Sequence, residues 1–258
     1  MFWHGPPLTR VERLSMRSWL ANGHPLVLHA YEPPAGLPPG VQVADARAIL
    51  PESTLFAHAG TGSYALFADW FRYRLLARSG GLWADTDTVC LRPLDYAQDE
   101  LYAWEDDQQV NNAILGLPAG HALALWMAEA CGHPNRFLPY DGLRVRLRKL
   151  KRRWMRGGGR SKLKWGETGP LGLTAAARHL GCLDRALPAW HFYPVTWRQW
   201  RSVFEPGSAS MAAALERSRA LHLYNEMMRR EPGFDKDGRH APDSLYESLC
   251  TRYGCDAL

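Results

Sequence analysis

The chain has 258 residues, 46% of them apolar and 22% charged, with 31 Lys and Arg against 26 Asp and Glu for a formal charge of +5. That balance excludes a disordered, collagen-like or coiled-coil chain and suits one α/β domain able to bury a large core. Cys90, Cys131, Cys182, Cys250 and Cys255 form no Cys-x-x-Cys pair, which argues for reduced thiols rather than a disulfide framework or a thiolate zinc site.

The first ten residues, MFWHGPPLTR, have neither a basic start nor an uninterrupted apolar run, and no stretch of about 18 apolar residues follows. No signal peptide or membrane span is therefore expected, and a cytoplasmic location, peripheral to the membrane at most, is the corresponding expectation. Phe2-Trp3 ends a first strand. Thr9-Arg-Val-Glu12 has the form of a capping box and predicts a helix to about Leu20, closed by Asn22-Gly23. Pro25–Tyr31 reads as a second strand, residues 32–40 as a Pro/Gly loop, and Val41–Ala44 as a third strand.

Ser63 is positioned to cap a helix to about Arg78, with Leu66, Trp70, Tyr73 and Ala77 on one face and Gly80-Gly81 as its stop. Leu82–Ala84 is a strand leading into Asp85-Thr86-Asp87, and Val89–Leu91 is extended again. Strands are predicted near Leu101–Trp104, Val110–Leu117 and Ala220–Tyr224, and helices near Ala119–Ala130 and Gly169–Leu180. Most of the eleven Trp are expected in the core or at its edge.

Residues 144–164 carry eleven Lys and Arg and no acid, so the rest of the chain has a formal charge of −6. The segment predicts a basic helix followed, after Gly157-Gly158-Gly159, by a flexible tail, an insertion in a single domain spanning 1–258. Leu143, Val145, Leu147, Leu150 and Trp154 interleave with the cations. An anionic membrane surface is the favoured partner, a solvated insertion without a partner comes next, and nucleic acid is the least favoured.

Two Asp-x-Asp triplets occur. Asp235-Lys-Asp237 lies among turn formers and reads as a solvated turn. Asp85-Thr-Asp87 ends an apolar strand, where unpaired carboxylates are costly. In an extended segment both point the same way and can share one Mn²⁺ or Mg²⁺, the remaining ligands coming from a diphosphate. The alternative is a pair neutralised by Arg72, Arg74 or Arg92.

The block Ala68-Asp69-Trp-Phe-Arg72 through Gly80-Gly81-Leu-Trp83-Ala-Asp85-Thr-Asp87 resembles the signature of the DXD-containing sugar transferases of glycosyltransferase family 32, shared with clostridial glucosylating toxins and α-1,4-galactosyltransferases. Phe2-Trp3-His4-Gly5, Asn111-Asn112-Ala113, Gly169-Pro170 and His222-Leu-Tyr-Asn225 resemble further segments of that family in the same order. Ala68, Trp83 and Tyr224 depart from its usual Ser, Tyr and Trp, and none of these is a proposed metal ligand.

The resemblance implies a GT-A-type α/β domain with a mixed, mainly parallel central sheet flanked by helices. It also implies a nucleotide-sugar donor, UDP-sugar favoured, a divalent cation, retention of anomeric configuration, and a glycan or lipid-linked glycan acceptor. On that basis Asp87 and Asp85 hold the metal with His222, and Asn225 touches the ion or the diphosphate. Asp69 accepts hydrogen bonds from sugar or ribose hydroxyls, Arg72 is the charge partner of the diphosphate, Asn112 contacts the donor sugar, and Trp3 stacks on the base. For Asp69 and Arg72 an intrahelical ion pair, and for Trp3 a core role, remain open. No enzymic nucleophile is nominated. The rival readings are a non-catalytic membrane- or RNA-binding module acting through 144–164 and a phosphohydrolase using the same Asp pair.

Overall fold

A computed structural model describes residues 1–256. Three short strands, β1 (Phe2–Trp3), β2 (Val27–Ala30) and β3 (Gln42–Asp45), form a parallel sheet in that order. Helix α1 (Arg10–Ala21) makes the β1–β2 crossover and opens with the expected capping box, Thr9 with Glu12. Its C-cap is Asn22, as the Asn-Gly signal predicts.

Helix α2 (Ala65–Ser79) starts one residue later than a Ser63 cap requires. Tyr64 occupies the cap position, and Ser63 Oγ accepts from the Ala65 amide at 3.2 Å. The helix stops at Gly80 (φ 64°), whose N–H bonds the Leu76 carbonyl at 2.9 Å. A Cβ there would lie 2.4 Å from the Ala119 backbone nitrogen, so the turn needs glycine both for its dihedral and for its neighbour.

Strand β4 (Gly81–Ala84) follows and pairs antiparallel with β7 (Val110–Leu117), which also pairs antiparallel with β6 (Leu101–Trp104). Strand β5 (Thr88–Cys90) pairs antiparallel with β8 (Ala220–His222). The mixed α/β class stands, with the parallel ladders of the described strands in β1–β3 and one isolated parallel bridge between Ala103 and Leu187. Strand β7 is buried along its whole length, being covered by α2, α3 (Ala122–Gly132) and α5 (Pro170–His179). Helix α3 begins later than predicted because His121 Nδ1 caps the Leu123 amide at 3.2 Å.

The basic segment folds as helix α4 (Leu143–Arg153) and a 3-10 stretch over Arg156–Lys162. Two C-terminal helices, α6 (Asn225–Arg230) and α7 (Leu245–Tyr253), were not foreseen from the sequence. Helix α7 packs with Val11 and Leu14 of α1 and with β8 in a second core cluster. All five cysteines are buried and free. Trp19, Trp83 and Trp200 are buried and most other Trp are half-buried, but Trp154 is exposed.

Candidate active site

Asp85 and Asp87 converge, but not through the alternation of a strand. Residues 85–88 form a turn in which the Thr88 amide (3.1 Å) and Oγ1 (2.7 Å) both donate to the Asp85 carbonyl. The Asp85 amide is itself held by the Ala113 carbonyl of β7 at 2.8 Å, and the chain leaves the turn into β5. Because β5 pairs with β8, Thr88 lies opposite His222, and the imidazole arrives beside the two carboxylates. One ligand atom from each of Asp85, Asp87 and His222 lies within 4.8 Å of the others.

The two carboxylates have different partners. Asp85 is paired with Arg72 at 3.0 Å and accepts from Trp83 Nε1 at 2.7 Å. Asp87 is paired with His222 Nε2 at 3.2 Å and accepts from the Asn225 amide at 2.6 Å. That amide is aimed by Tyr224, which adopts a left-handed conformation (φ 58°, ψ 61°) rarely taken by a bulky residue. Of the arginines considered as alternative partners, Arg72 alone faces the pair. Arg74 is exposed, and Arg92 donates to the Leu215 and Ser218 carbonyls.

Burial raises the Asp85 carboxyl above its usual range, against the pull of Arg72, and the neighbouring Asp87 charge adds to the rise. Burial acts the same way on Asp87, but the His222 charge and hydrogen bond, the Asn225 amide and Lys236 outweigh it and hold that carboxyl low. Burial would lower His222, and the Asp87 carboxylate outweighs it, so the imidazole is raised above its ordinary value. Both shifts favour the charged form of the Asp87–His222 contact, carboxylate with imidazolium.

Arg72 is the hub of the site. It lies 3.3 Å from Asp69 one helical turn earlier, donates to the Asn112 carbonyl, and sits over the Trp83 ring at 5.0 Å. The intrahelical ion pair considered for Asp69 and Arg72 is thus present, and both residues also line the cleft. Asp69 further accepts from Asn112 Nδ2 (2.8 Å) and Thr168 Oγ1 (2.9 Å). A carboxylate has about four acceptor positions, so one remains for a ligand hydroxyl. Burial raises the Asp69 carboxyl against these partners.

These groups open onto a cleft of about 820 Å³. Trp3, Asp69, Arg72, Asp85, Asp87, Asn112, His222 and Asn225 all line it, so every residue nominated for the donor and metal site reaches one cavity. Trp3 is half-buried, its Nε1 donating to the Pro6 carbonyl at 2.9 Å. The cleft also holds Glu105, Gln109, Tyr64, Trp165, Trp197 and Lys236, which the sequence did not nominate.

Lys236 carries a correction. The Asp235–Gly238 turn is not simply solvated: Lys236 pairs with fully buried Glu12, and Asp237 accepts from the Arg10 amide at 2.9 Å. The first turn of α1 binds the turn from both sides, Glu12 taking Lys236 while the Arg10 amide and the Arg13 guanidinium take Asp237, and so carries Lys236 to the cleft. The triplet's Lys, rather than its acids, was the informative residue.

The donor set fits a divalent cation. Two carboxylate groups and one imidazole converge, and Asn225 Oδ1, beside them in the cleft, is buried without a hydrogen-bond donor. A buried acceptor left without a donor is costly unless a ligand satisfies it.

Comparison with known proteins finds family matches to two separate segments of the chain. Residues 43–108 match the family model described as "Glycosyltransferase sugar-binding region containing DXD motif", which spans Asp69, Arg72, Asp85 and Asp87. Residues 161–254 match "Alpha 1,4-glycosyltransferase conserved region", which spans His222 and Asn225. The human alpha-1,4-N-acetylglucosaminyltransferase is 23% identical over 81% of this chain and 58% of its own length. The rat lactosylceramide 4-alpha-galactosyltransferase is 27% identical over 62% of this chain and 41% of its own. The chain thus spans about half the length of these relatives. Among solved structures, the PaToxG glycosyltransferase superposes with a TM-score of 0.40 at 13% identity, covering 78% of this chain and 80% of that one. The family matches and relatives support a glycosyltransferase enzyme carrying a DXD sugar-binding region, as the sequence predicted.

Proposed function

We propose that the protein is a metal-dependent, retaining glycosyltransferase that takes a sugar from a nucleoside diphosphate, UDP favoured, and delivers it to a glycan or lipid-linked glycan. The observation that carries this reading is the convergence of Asp85, Asp87 and His222 beside the Arg72–Asp69 pair in one cleft. The names of the relatives point to α-1,4 transfer. An α-linked product from an α-linked nucleotide sugar requires retention.

Mn²⁺ or Mg²⁺, held by Asp85, Asp87 and His222, would supply positive charge against the departing diphosphate. The protein's own groups do the rest. Arg72 favours the ionised form of half-buried Asp85, and Trp83 Nε1 orients it. The Asn225 amide and His222 fix Asp87. Asp69, braced by Asn112 and Thr168, has one acceptor position left for a sugar or ribose hydroxyl. Lys236 adds a cation at the cleft wall for phosphate oxygens, and half-buried Trp3 offers a ring for the base.

The test is a thermal-shift screen of UDP, GDP and CDP sugars with and without Mn²⁺. A UDP-sugar should raise the melting temperature only when Mn²⁺ is present. If no nucleotide sugar stabilises the protein under any metal condition, the reading fails.

A further inference from the structure

Helix α4 is inside out. Its inward face carries cations. Lys149 bonds Asp141 at 2.7 Å and the Arg136 carbonyl at 3.0 Å, and Arg152 forks onto Glu167 at 2.6 and 3.0 Å. Its outward face carries Leu143, Leu147, Leu150 and Trp154, which are 74, 56, 39 and 91% exposed. Steps of four, three and four residues align these side chains in one stripe along the helix. A helix that merely covered the core would turn that stripe inward. Burying ion pairs while exposing four large apolar groups is unfavourable in water, so the stripe calls for an apolar partner.

The flanks indicate which partner. Arg144 and Lys151 are exposed on one side of the stripe, and Arg146 and Arg153 on the other. A row of apolar side chains between two rows of cations is the complement of a bilayer surface, with its acyl boundary below and phosphates on both sides. A nucleic-acid face would present cations where α4 presents leucines. At 11 residues the helix is about 16 Å long, half the thickness of a hydrocarbon core, and no helix among the described residues is long and apolar enough to cross one.

We infer that α4 is an interfacial helix that docks the protein on a membrane rich in anionic phospholipid, with Leu143, Leu147, Leu150 and Trp154 inserted and Arg144, Arg146, Lys151 and Arg153 on the headgroups. Docking also orients the cleft. Arg152 ties α4 to Glu167, which lies between cleft-lining Trp165-Gly166 and Gly169–Leu171. The docked helix holds that wall beside the lipid surface, where a lipid-carried acceptor would present its sugar.

The experiment is flotation of the whole chain with phosphatidylcholine vesicles, with or without phosphatidylglycerol. It uses no nucleotide, so it succeeds or fails independently of the transferase reading. The protein should bind the phosphatidylglycerol vesicles, with binding weakened by salt. Leu147→Glu with Trp154→Glu should lower the partition coefficient at least about tenfold. Replacing Arg144, Arg146, Lys151 and Arg153 by Gln should lower it at least about a hundredfold, at roughly fivefold per cation near an anionic surface. Both variants should keep the thermal shift with Mn²⁺ and UDP. Three results would each overturn the inference. One is wild-type protein that ignores anionic vesicles, whether or not it binds RNA. Another is a stripe variant that floats as well as wild type. The third is a wild-type dimer that the stripe substitutions convert to a monomer without affecting flotation.

Discussion

Replacing Asp87 by Asn separates the metal site from the fold. In the metal-free protein Asp87 accepts the Asn225 amide at 2.6 Å and pairs with His222 at 3.2 Å. A carboxamide oxygen can still accept that amide. The pair with His222 is lost, but so is the repulsion that helps raise Asp85. These changes oppose each other, so the metal-free stability should move by no more than about 1 kcal/mol. For a chain of this size that is about 2–4 °C. Ligand binding should respond far more. Mn²⁺ and UDP at about 100 times their dissociation constant stabilise wild type by about 2.7 kcal/mol, or roughly 5–10 °C. Losing a charged ligand from a three-residue set should weaken binding at least about 100-fold, by analogy with the 10–100-fold typical of outer partners. At the same concentrations the stabilisation falls to about 0.4 kcal/mol, or roughly 1 °C. Differential scanning fluorimetry on the pair of proteins, with transfer assayed in parallel, measures both. Turnover should fall at least about 100-fold. A variant that keeps most of the metal-dependent shift would remove Asp87 from the metal site.

Mn²⁺ affinity, measured by titration calorimetry, should strengthen as pH rises above about 6.5, because a raised imidazole must lose its proton before its nitrogen can ligate. The metal-free protein should show the opposite sign: the His222–Asp87 pair stabilises fully below His222's unfolded value and fades as pH rises through the folded one, and His222→Gln should flatten both trends. Arg72→Ala leaves buried Asp69 and half-buried Asp85 without their cation and should lower stability by about 3 kcal/mol by thermal unfolding, with Arg72→Lys recovering only part because a point charge cannot fork between Asp69 and Asp85. An unchanged melting temperature would show that Arg72 is not the hub. Gly80→Ala should cost about 1–3 kcal/mol through its left-handed turn and the Ala119 backbone, while Gly142→Ala, with φ −70° and open space around it, should be close to neutral by chemical denaturation.

The elements that were legible in the sequence are those whose signals are local. The Thr9–Glu12 box, the Gly80 stop and the apolar runs of β6 and β7 each act within a few residues, and the structure has them at or near the expected bounds. Helices α6 and α7 were missed for the complementary reason. Helix α6 is six residues long and follows the left-handed Tyr224, and α7 owes its position to packing against α1 and β8. The cleft residue Glu105 belongs to no motif, and Lys236 belongs only to the Asp235–Asp237 triplet, which reads as a solvated turn. Lys236 arrives only because buried Glu12, more than two hundred residues away, accepts it.

From the sequence alone came the chemistry: an Asp pair in an apolar setting, an Asp and an Arg one helical turn apart, a distant His and Asn, and a basic arm whose charge exceeds that of the whole chain. Residue identity and short-range spacing are enough for that. The tertiary structure decided how the chemistry is divided. It gave Asp85 to Arg72 and Asp87 to His222; burial raises the Asp85 carboxyl despite Arg72, while the partners of Asp87 outweigh burial and hold that carboxyl low. It also turned the leucines of α4 outward, because Asp141 and Glu167 bind the cations of its other face. Both outcomes depend on which charges meet after the chain has folded back on itself, and no local pattern carries that.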